Sequence, residues 1–317
     1  MGDFKFKKNL GPYRSAHAAD RSRDNCHGTG RTFVLNPGSL IHYPRGDNTG
    51  LSKPCDKGGS MPGGSGCTIR HAGLASESSV ILYQPQDVLD TLERITSRVA
   101  AIILDPWYNK GLGGVREDYD AWLGQVIKRS SELANHIYVW GFPEIIWRQL
   151  TQLPPRLSLV AWLTWYYKNC PSVIRGWRSA QYACLHLASP AAKLYPEHFL
   201  NRAQLQKQRE GKLRYLPGPA SVIDVPLNVG FVGKAEQTGH PAQKPEKVFE
   251  PLIRMATQPG DTVIDPMCGA GTTGAVCLKL GRNAILCDSS EDYVGMTEKR
   301  LGIKRIPFRN VQDTKHP

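Results

Sequence analysis

Two short apolar runs, each stopping at an Asp-Pro pair, constrain this chain more than any other feature. Val99, Ala100, Ala101, Ile102, Ile103 and Leu104 lead into Asp105 and Pro106, and Thr262, Val263 and Ile264 lead into Asp265 and Pro266. Short β-branched runs closed by Pro or Gly fit strands buried on both faces of a parallel sheet, with ligands gathering where such strands end. Proline ends the ladder because it has no N–H to donate. Asp105-Pro106 alone also fits an ordinary turn. What overturns that reading lies 160 positions further on, at Asp265.

The stretches between these runs alternate strand with helix. Val80 to Tyr83 reads as a short strand, and Val88, Leu89, Leu92 and Ile95 recur at helical spacing. Tyr119, Trp122, Leu123, Val126, Ile127 and Leu133 mark an amphipathic helix, and His136 to Trp140 a further strand. The alternation predicts an α/β fold, a mostly parallel sheet with helices on both faces. Leu157 to Tyr167 is strand-like and aromatic, most of its rings belonging to the core. Ser179 to Leu187 alternates loosely, which predicts an antiparallel strand at the far edge. From Pro190 to Gly239 periodicity fades while Lys and Arg accumulate.

The 317 residues are enough for one large domain or a domain with an appendage. No stretch approaches the roughly 18 consecutive apolar residues that a membrane span requires. Met1 to Lys8 has charge but no apolar segment behind it, so no secretion signal is expected, and the expected location is cytoplasmic and nucleoid-associated. A net charge of +12 and a pI near 9.3 point to a polyanionic partner. Arg148 to Arg178 holds five basic residues and no acid, and Lys193 to Arg214 six against two. Such runs can also be plain solvated surface.

Eight Cys in a chain of this length, several within apolar runs, fit reduced core thiols. Cys26, His27, Cys55, Cys67 and His71 carry zinc-type ligand atoms, but their spacing lacks a paired short Cys knuckle, so no metal is expected. Residues 1 to 75 are rich in breakers and hold eleven Lys and Arg against five acids, a composition suited to an arm on a phosphate backbone.

Chemistry concentrates at the two strand ends. Asp105, Pro106, Trp107 and Tyr108 combine a carboxylate, a free carbonyl and two aromatic faces, the parts that hold a planar base with an exocyclic amine. Downstream, Asp265, Pro266, Met267, Cys268, Gly269, Ala270, Gly271, Thr272 and Thr273 form a glycine turn opening a helix. Such a turn aims backbone N–H groups and a helix dipole at a ligand, with Gly269 and Gly271 permitting close approach. The phosphate-binding fingerprints are unmet, since no third Gly stands at the required place and no Lys follows. Asp288, at the tip of the next strand, is placed to accept bonds from two ribose hydroxyls or to cap the helix from Ser289 to Arg300. A nucleoside without a phosphate cradle is the implied ligand, and S-adenosylmethionine fits.

With these motifs in hand, the chain resembles the permuted, β-type amino-directed DNA methyltransferases, which methylate adenine N6 or cytosine N4. In that family the catalytic Asp/Ser-Pro-Pro-Tyr/Trp tetrad precedes the cofactor motif, as Asp105 to Tyr108 precedes Asp265 to Thr273 here. His240, Pro241, Ala242, Gln243, Lys244 and Pro245 match the family's segment ahead of the cofactor strand, and Gly281 to Asp288 and Tyr293 to Leu301 continue the match. The resemblance covers roughly 79 to 190 and 238 to 302. Trp107 stands where the family usually has a second Pro, Met267 where it has Phe, Asp288 where Glu is commoner, and Gln84 to Asp87 replaces the usual Gly-Asp.

The resemblance implies a Rossmann-like methyltransferase with permuted motif order. Its expected parts are a basic arm (1–75), a catalytic half (76–189), a target-recognition insertion (190–239), a cofactor half (240–303) and a basic tail (304–317). Asp105 and the Pro106 carbonyl would accept the target amine's hydrogens, Tyr108 would stack on a base extruded from the helix, and Trp107 would complete the tetrad. S-adenosylmethionine would be held by Asp265, Pro266, Met267, Gly269, Gly271, Thr272, Thr273, Asp288 and Ser289, together with Lys244 and Asp87. DNA would be tracked by Lys110, Arg175, Arg178, Arg202, Lys207, Arg209, Lys212 and Arg214. Asp first and Tyr fourth in the tetrad favour adenine N6, with a short or relaxed target and a role such as restriction-modification. Cytosine N4, an RNA substrate and an inactive nucleic-acid-binding relative stay open, as does a homodimer.

Overall fold

The computed structural model describes residues 78–110, 114–170 and 176–308, which fall in one compact unit spanning Met61–Pro317. The arm over 1–75, its five candidate zinc ligands and Arg175 lie outside the described residues.

Eight strands form one sheet: β1 (Val80–Leu82), β2 (Val99–Leu104), β3 (Ala134–Gly141), β4 (Ser158–Tyr166), β5 (Gln181–Ala188), β6 (Val222–Asp224), β7 (Thr262–Asp265) and β8 (Asn283–Leu286). The helices are α1 (Val88–Arg94), α2 (Tyr119–Leu133), α3 (Pro143–Ile146), α4 (Arg202–Arg209), α5 (Glu246–Ala256), α6 (Thr272–Leu280) and α7 (Glu291–Leu301). In space the strands run β1-β8-β7-β2-β3-β5-β4-β6, all parallel except where β5 pairs with β3 and β4. The expected α/β sheet is present.

Strand alternation sorts the core into two layers. Ala101 and Ile103 of β2, with Tyr138 and Trp140 of β3, pack against Val248, Phe249 and Leu252 of α5. Ile102 and Leu104, with Ile137 and Val139, pack on the opposite face against α1 and α2 through Leu92, Leu123 and Val126. β2 is thus buried on both sides, which explains its unbroken apolar run. Truncating Ile103 or Leu104 to Ala costs about 2–5 kcal/mol by cavity formation.

One expectation needs correcting. The antiparallel strand exists, but β5 lies inside the sheet between β3 and β4, and the edge is β6. Seven of the eight β5 residues are buried, whereas β4 is mostly half-buried or exposed. The loose alternation in β5 therefore marked a strand covered on both faces.

The stretch 190–239 is also more ordered than its fading periodicity suggests. It carries α4 and β6, the latter hydrogen-bonded in register to β4 through Thr164, Trp165 and Tyr166. No residue of α4 is buried; a capping box holds its start, with Asn201 Oδ1 accepting from the Gln204 amide (2.9 Å) and Gln204 Oε1 accepting from the Asn201 amide (2.9 Å). Past α7 the chain returns to the sheet: the Ile306 amide donates to the Leu82 carbonyl (2.8 Å), and Phe308 stacks on Tyr83. Among the described residues no helix is long and apolar enough to cross a membrane.

Candidate active site

β2 and β7 are parallel neighbours, Ala101 opposite Val263 and Ile102 opposite Ile264, so their C-terminal ends emerge side by side. A cleft of ≈ 260 Å³ opens there, lined by Asp105, Pro106, Trp107 and Tyr108 on one side and by Asp265, Pro266, Met267 and Gly269 on the other. Thr272, Asp288, Ser289, Asp87 and Lys244 also line it. The two halves of the predicted site therefore meet across a sheet junction that brings together residues far apart in the chain.

Asp105 hangs off the end of β2, 16% exposed, and its carboxylate accepts two bonds from the Lys244 ammonium, at 2.8 Å to Oδ1 and 2.6 Å to Oδ2. Burial pushes the Asp105 carboxyl up, and Lys244 pulls it back. The ammonium stands 4.7 Å from the Tyr182 ring centroid and 5.7 Å from that of Tyr108. The Lys244 backbone is fixed too: Thr272 Oγ1 donates to its carbonyl (2.9 Å), and Arg300 donates to that same hydroxyl (3.0 Å).

Tyr108 leans on Phe142 and Tyr182, with ring centroids 5.0 and 5.3 Å away. Trp107 packs edge-on to Tyr119 and tilted against Trp122, while the Tyr119 hydroxyl donates to the Trp107 carbonyl (3.0 Å). The ring standing in for the family's second Pro is thus anchored on α2. Asn109 adopts a left-handed backbone, φ 50°, and clasps Arg116, accepting from its amide (2.6 Å) and donating to its carbonyl (3.2 Å). Lys110 is not in the cleft lining; it is half exposed, paired with Glu144 and 4.6 Å from the Phe142 ring centroid.

On the other side, Asp288 Oδ2 accepts from the Gly269 amide (2.9 Å) and Oδ1 from the Ser290 amide (2.9 Å), leaving each oxygen a further lone pair for a ligand hydroxyl. The cap of α7 is Ser290, whose hydroxyl accepts from the Tyr293 amide, and not Asp288. Asp87 caps α1 through Leu89 (2.8 Å) while lining the cleft.

Three expected cofactor residues also make contacts within the chain, Asp265 while lining the cleft. Gly271 and Thr273 are not among the lining residues. Gly271 starts α6 at φ 73°, and a Cβ there would lie 2.8 Å from Thr297 Cγ2, so this glycine is required by α7. The Thr273 hydroxyl donates to Asp265 Oδ2, and the Met267 amide donates to Oδ1 (3.1 Å), so Asp265 holds the glycine turn together. Burial pushes the Asp265 carboxyl up to about 7.

His240, within the matched segment but not among the expected contacts, lines the cleft, with Tyr293 packed 4.1 Å from its ring. Burial, then Lys244, pushes it down to about 4, which keeps it neutral. Among the described residues no group of His, Cys, Asp and Glu could hold a metal ion. The basic candidates Arg178, Arg202, Lys207, Arg209, Lys212 and Arg214 are all exposed, Lys212 pairing with Glu210 at 2.9 Å.

Comparison with known proteins now decides the family. The sequence model described as DNA methylase matches residues 99–299, more than half of the chain and spanning both sides of the cleft. The chain belongs to this DNA methylase family. Among curated relatives, it is 30% identical over 158 residues to the type II methyltransferase M.HpaI of Haemophilus parainfluenzae, covering 48% of each protein. It is 27% identical over 262 residues to the DNA adenine methyltransferase YhdJ of Escherichia coli K12, covering 75% of this chain and 87% of that one. The match therefore spans about half the length of the first relative and most of the second. In fold, this DNA methylase resembles the M1.HpyAVI–SAM complex (TM-score 0.54, 24% identity, 70% of this chain and 98% of that one). It also resembles the PvuII cytosine-N4-specific DNA methyltransferase (TM-score 0.53, 18% identity, 75% and 92%).

Proposed function

We propose that this chain transfers the methyl group of S-adenosylmethionine to the exocyclic N6 of adenine in DNA. The observation that carries the proposal is one cleft lined both by the Asp105 to Tyr108 tetrad and by Asp288 with the Gly269 turn. The donor set fits S-adenosylmethionine: a carboxylate with spare lone pairs for ribose hydroxyls, uncharged rings beside a sulfonium, and the positive N-terminal end of α6 at Thr272 for the donor's carboxylate. Bound there, S-adenosylmethionine supplies a sulfonium-activated methyl group.

The chain's own task is to prepare the amine. Its lone pair is delocalised into the ring, so the nitrogen must be drawn toward a tetrahedral shape before it can attack. Asp105 would accept one N–H and the Pro106 carbonyl the other, leaving the amine's lone pair free to attack, and the proton shed on methylation would leave by way of Asp105. Tyr108, braced by Phe142 and Tyr182, gives the base a face to stack on once it has left the duplex. The residues Arg178, Arg202, Lys207, Arg209, Lys212 and Arg214, with Lys110 beside the catalytic loop, bind the phosphate backbone, and 190–239 contributes target recognition. The exposed α4, with no buried face of its own, suits such a role.

Labelled S-adenosylmethionine supplied with adenine-only duplex, cytosine-only duplex, single strands and RNA tests this directly. Incorporation into adenine duplex is the expected result. Transfer to cytosine alone or RNA alone overturns the adenine or DNA assignment, and no transfer to any substrate overturns the reading as an enzyme.

A further inference from the structure

Lys244 makes a contact that its sequence position does not announce. It belongs to the segment ahead of the cofactor strand, yet its ammonium reaches across to Asp105 and contacts both carboxylate oxygens at 2.8 and 2.6 Å. We infer that Lys244 is a positioning residue for the amine half of the cleft, holding the Asp105 carboxylate charged and oriented to receive the target N–H. This inference rests on the function proposed above.

The surroundings leave Asp105 no other source of charge balance. The titratable groups that interact with it electrostatically are Tyr119 on α2, Tyr182 and Cys184 on β5, Asp265 at the end of β7 and Asp288 after β8, with Tyr108 of its own loop lining the same cleft. Each is neutral or anionic. Among the described residues Lys244 is the one cation acting on Asp105, and both groups lie in a site where burial disfavours any unpaired charge.

A protonated Asp105 would lose acceptor capacity and would present its own hydrogen to the incoming amine. Each carboxylate oxygen has two lone-pair directions, so bonds from Lys244 leave room for an N–H from the base. The ammonium is itself locked, by the Thr272 hydroxyl on its backbone carbonyl and by the rings of Tyr108 and Tyr182. The carboxylate is thereby oriented before substrate arrives.

The experiment compares wild type with Lys244→Met and Lys244→Arg, reading the Asp105 carboxyl by carbon NMR, assigned through Asp105→Asn, and the affinity for S-adenosylmethionine by calorimetry. Lys244→Met raises the pH at which Asp105 titrates, shifts the acid limb of the single-turnover rate to higher pH and leaves donor affinity within about threefold, while Lys244→Arg restores the wild-type titration. Between the wild-type limb and the new one the rate falls tenfold per pH unit relative to wild type. An unchanged Asp105 titration in Lys244→Met overturns the inference, as does a donor affinity loss above tenfold with no shift of the limb. If Lys244→Met does not fold, the double variant Asp105→Asn with Lys244→Met is read instead: recovery of folding supports the pairing, and failure to recover overturns it. The titration is read without turnover, so an inactive wild type would defeat the proposed function and not this inference.

Discussion

Asp105 and Asp265 end adjacent parallel strands and both precede proline, Asp265 buried and Asp105 16% exposed, yet the fold treats them differently. Asp105 faces an ammonium, whereas Asp265 is satisfied by a threonine hydroxyl and a backbone amide. Both donors favour the ionised carboxyl but burial outweighs them, so Asp265 holds the glycine turn without a cationic hydrogen-bond partner. A cationic partner selects the ionised state. The difference separates a carboxylate kept ready for an incoming hydrogen-bond donor from one that serves as an internal brace.

The sharpest way to break this contrast is Asp105→Ala. Removing the oriented acceptor lowers the transfer rate on the order of 10²–10³-fold or more, while calorimetry finds donor affinity nearly intact. Retained methylation by that variant would refute the assignment. Next in size, Asp288→Ala removes a charged acceptor from the cofactor side and weakens donor binding by about 10–100-fold, the equivalent of roughly 1.5–3 kcal/mol. Its amine chemistry at saturating donor changes far less, and single-turnover rates check the split.

Asp265→Asn tests the brace. The Asp265 carboxyl titrates near 7 when folded against an ordinary value of 3.8, so the folded state holds this proton more tightly than the unfolded chain. Its contribution to stability is greatest below the unfolded value and is lost as pH rises through the folded one, by a few kcal/mol at most. Thermal melts from about pH 4 to pH 8 should slope downward more in wild type than in Asp265→Asn; equal slopes would show that Asp265 is not the group responsible. The smallest effect lies outside both acids. Lys207→Ala or Arg209→Ala on α4 weakens DNA binding across sequences alike and reduces the slope of log affinity against log salt by about 1 for each phosphate no longer neutralised. An unaltered slope would remove α4 from the DNA track.

The apolar runs, the helix periodicities and the Asp-Pro stops were legible because burial on two faces and helix amphipathicity leave short-range patterns. β6 was not, since three residues joined to β4 carry no period of their own. The exposed α4 was also missed, because a helix without a buried face has no apolar stripe. β5 was seen but assigned to the edge, since alternation reports faces and says nothing of which strands flank it. Ser290 as the cap of α7 follows an ordinary rule, hidden by Asp288 two positions earlier.

By itself the sequence determined the alternating elements, the two acidic strand ends and the order of the motifs, since these depend on neighbours a few residues apart. Only the tertiary structure decided that the two ends share a cleft and that Lys244 serves Asp105. The closeness of Gly271 to Thr297, which leaves no room for a Cβ, is likewise a tertiary fact. Those facts come from strand order, and a carboxylate and an ammonium 139 positions apart carry no local sign that folding will bring them within a hydrogen bond of each other.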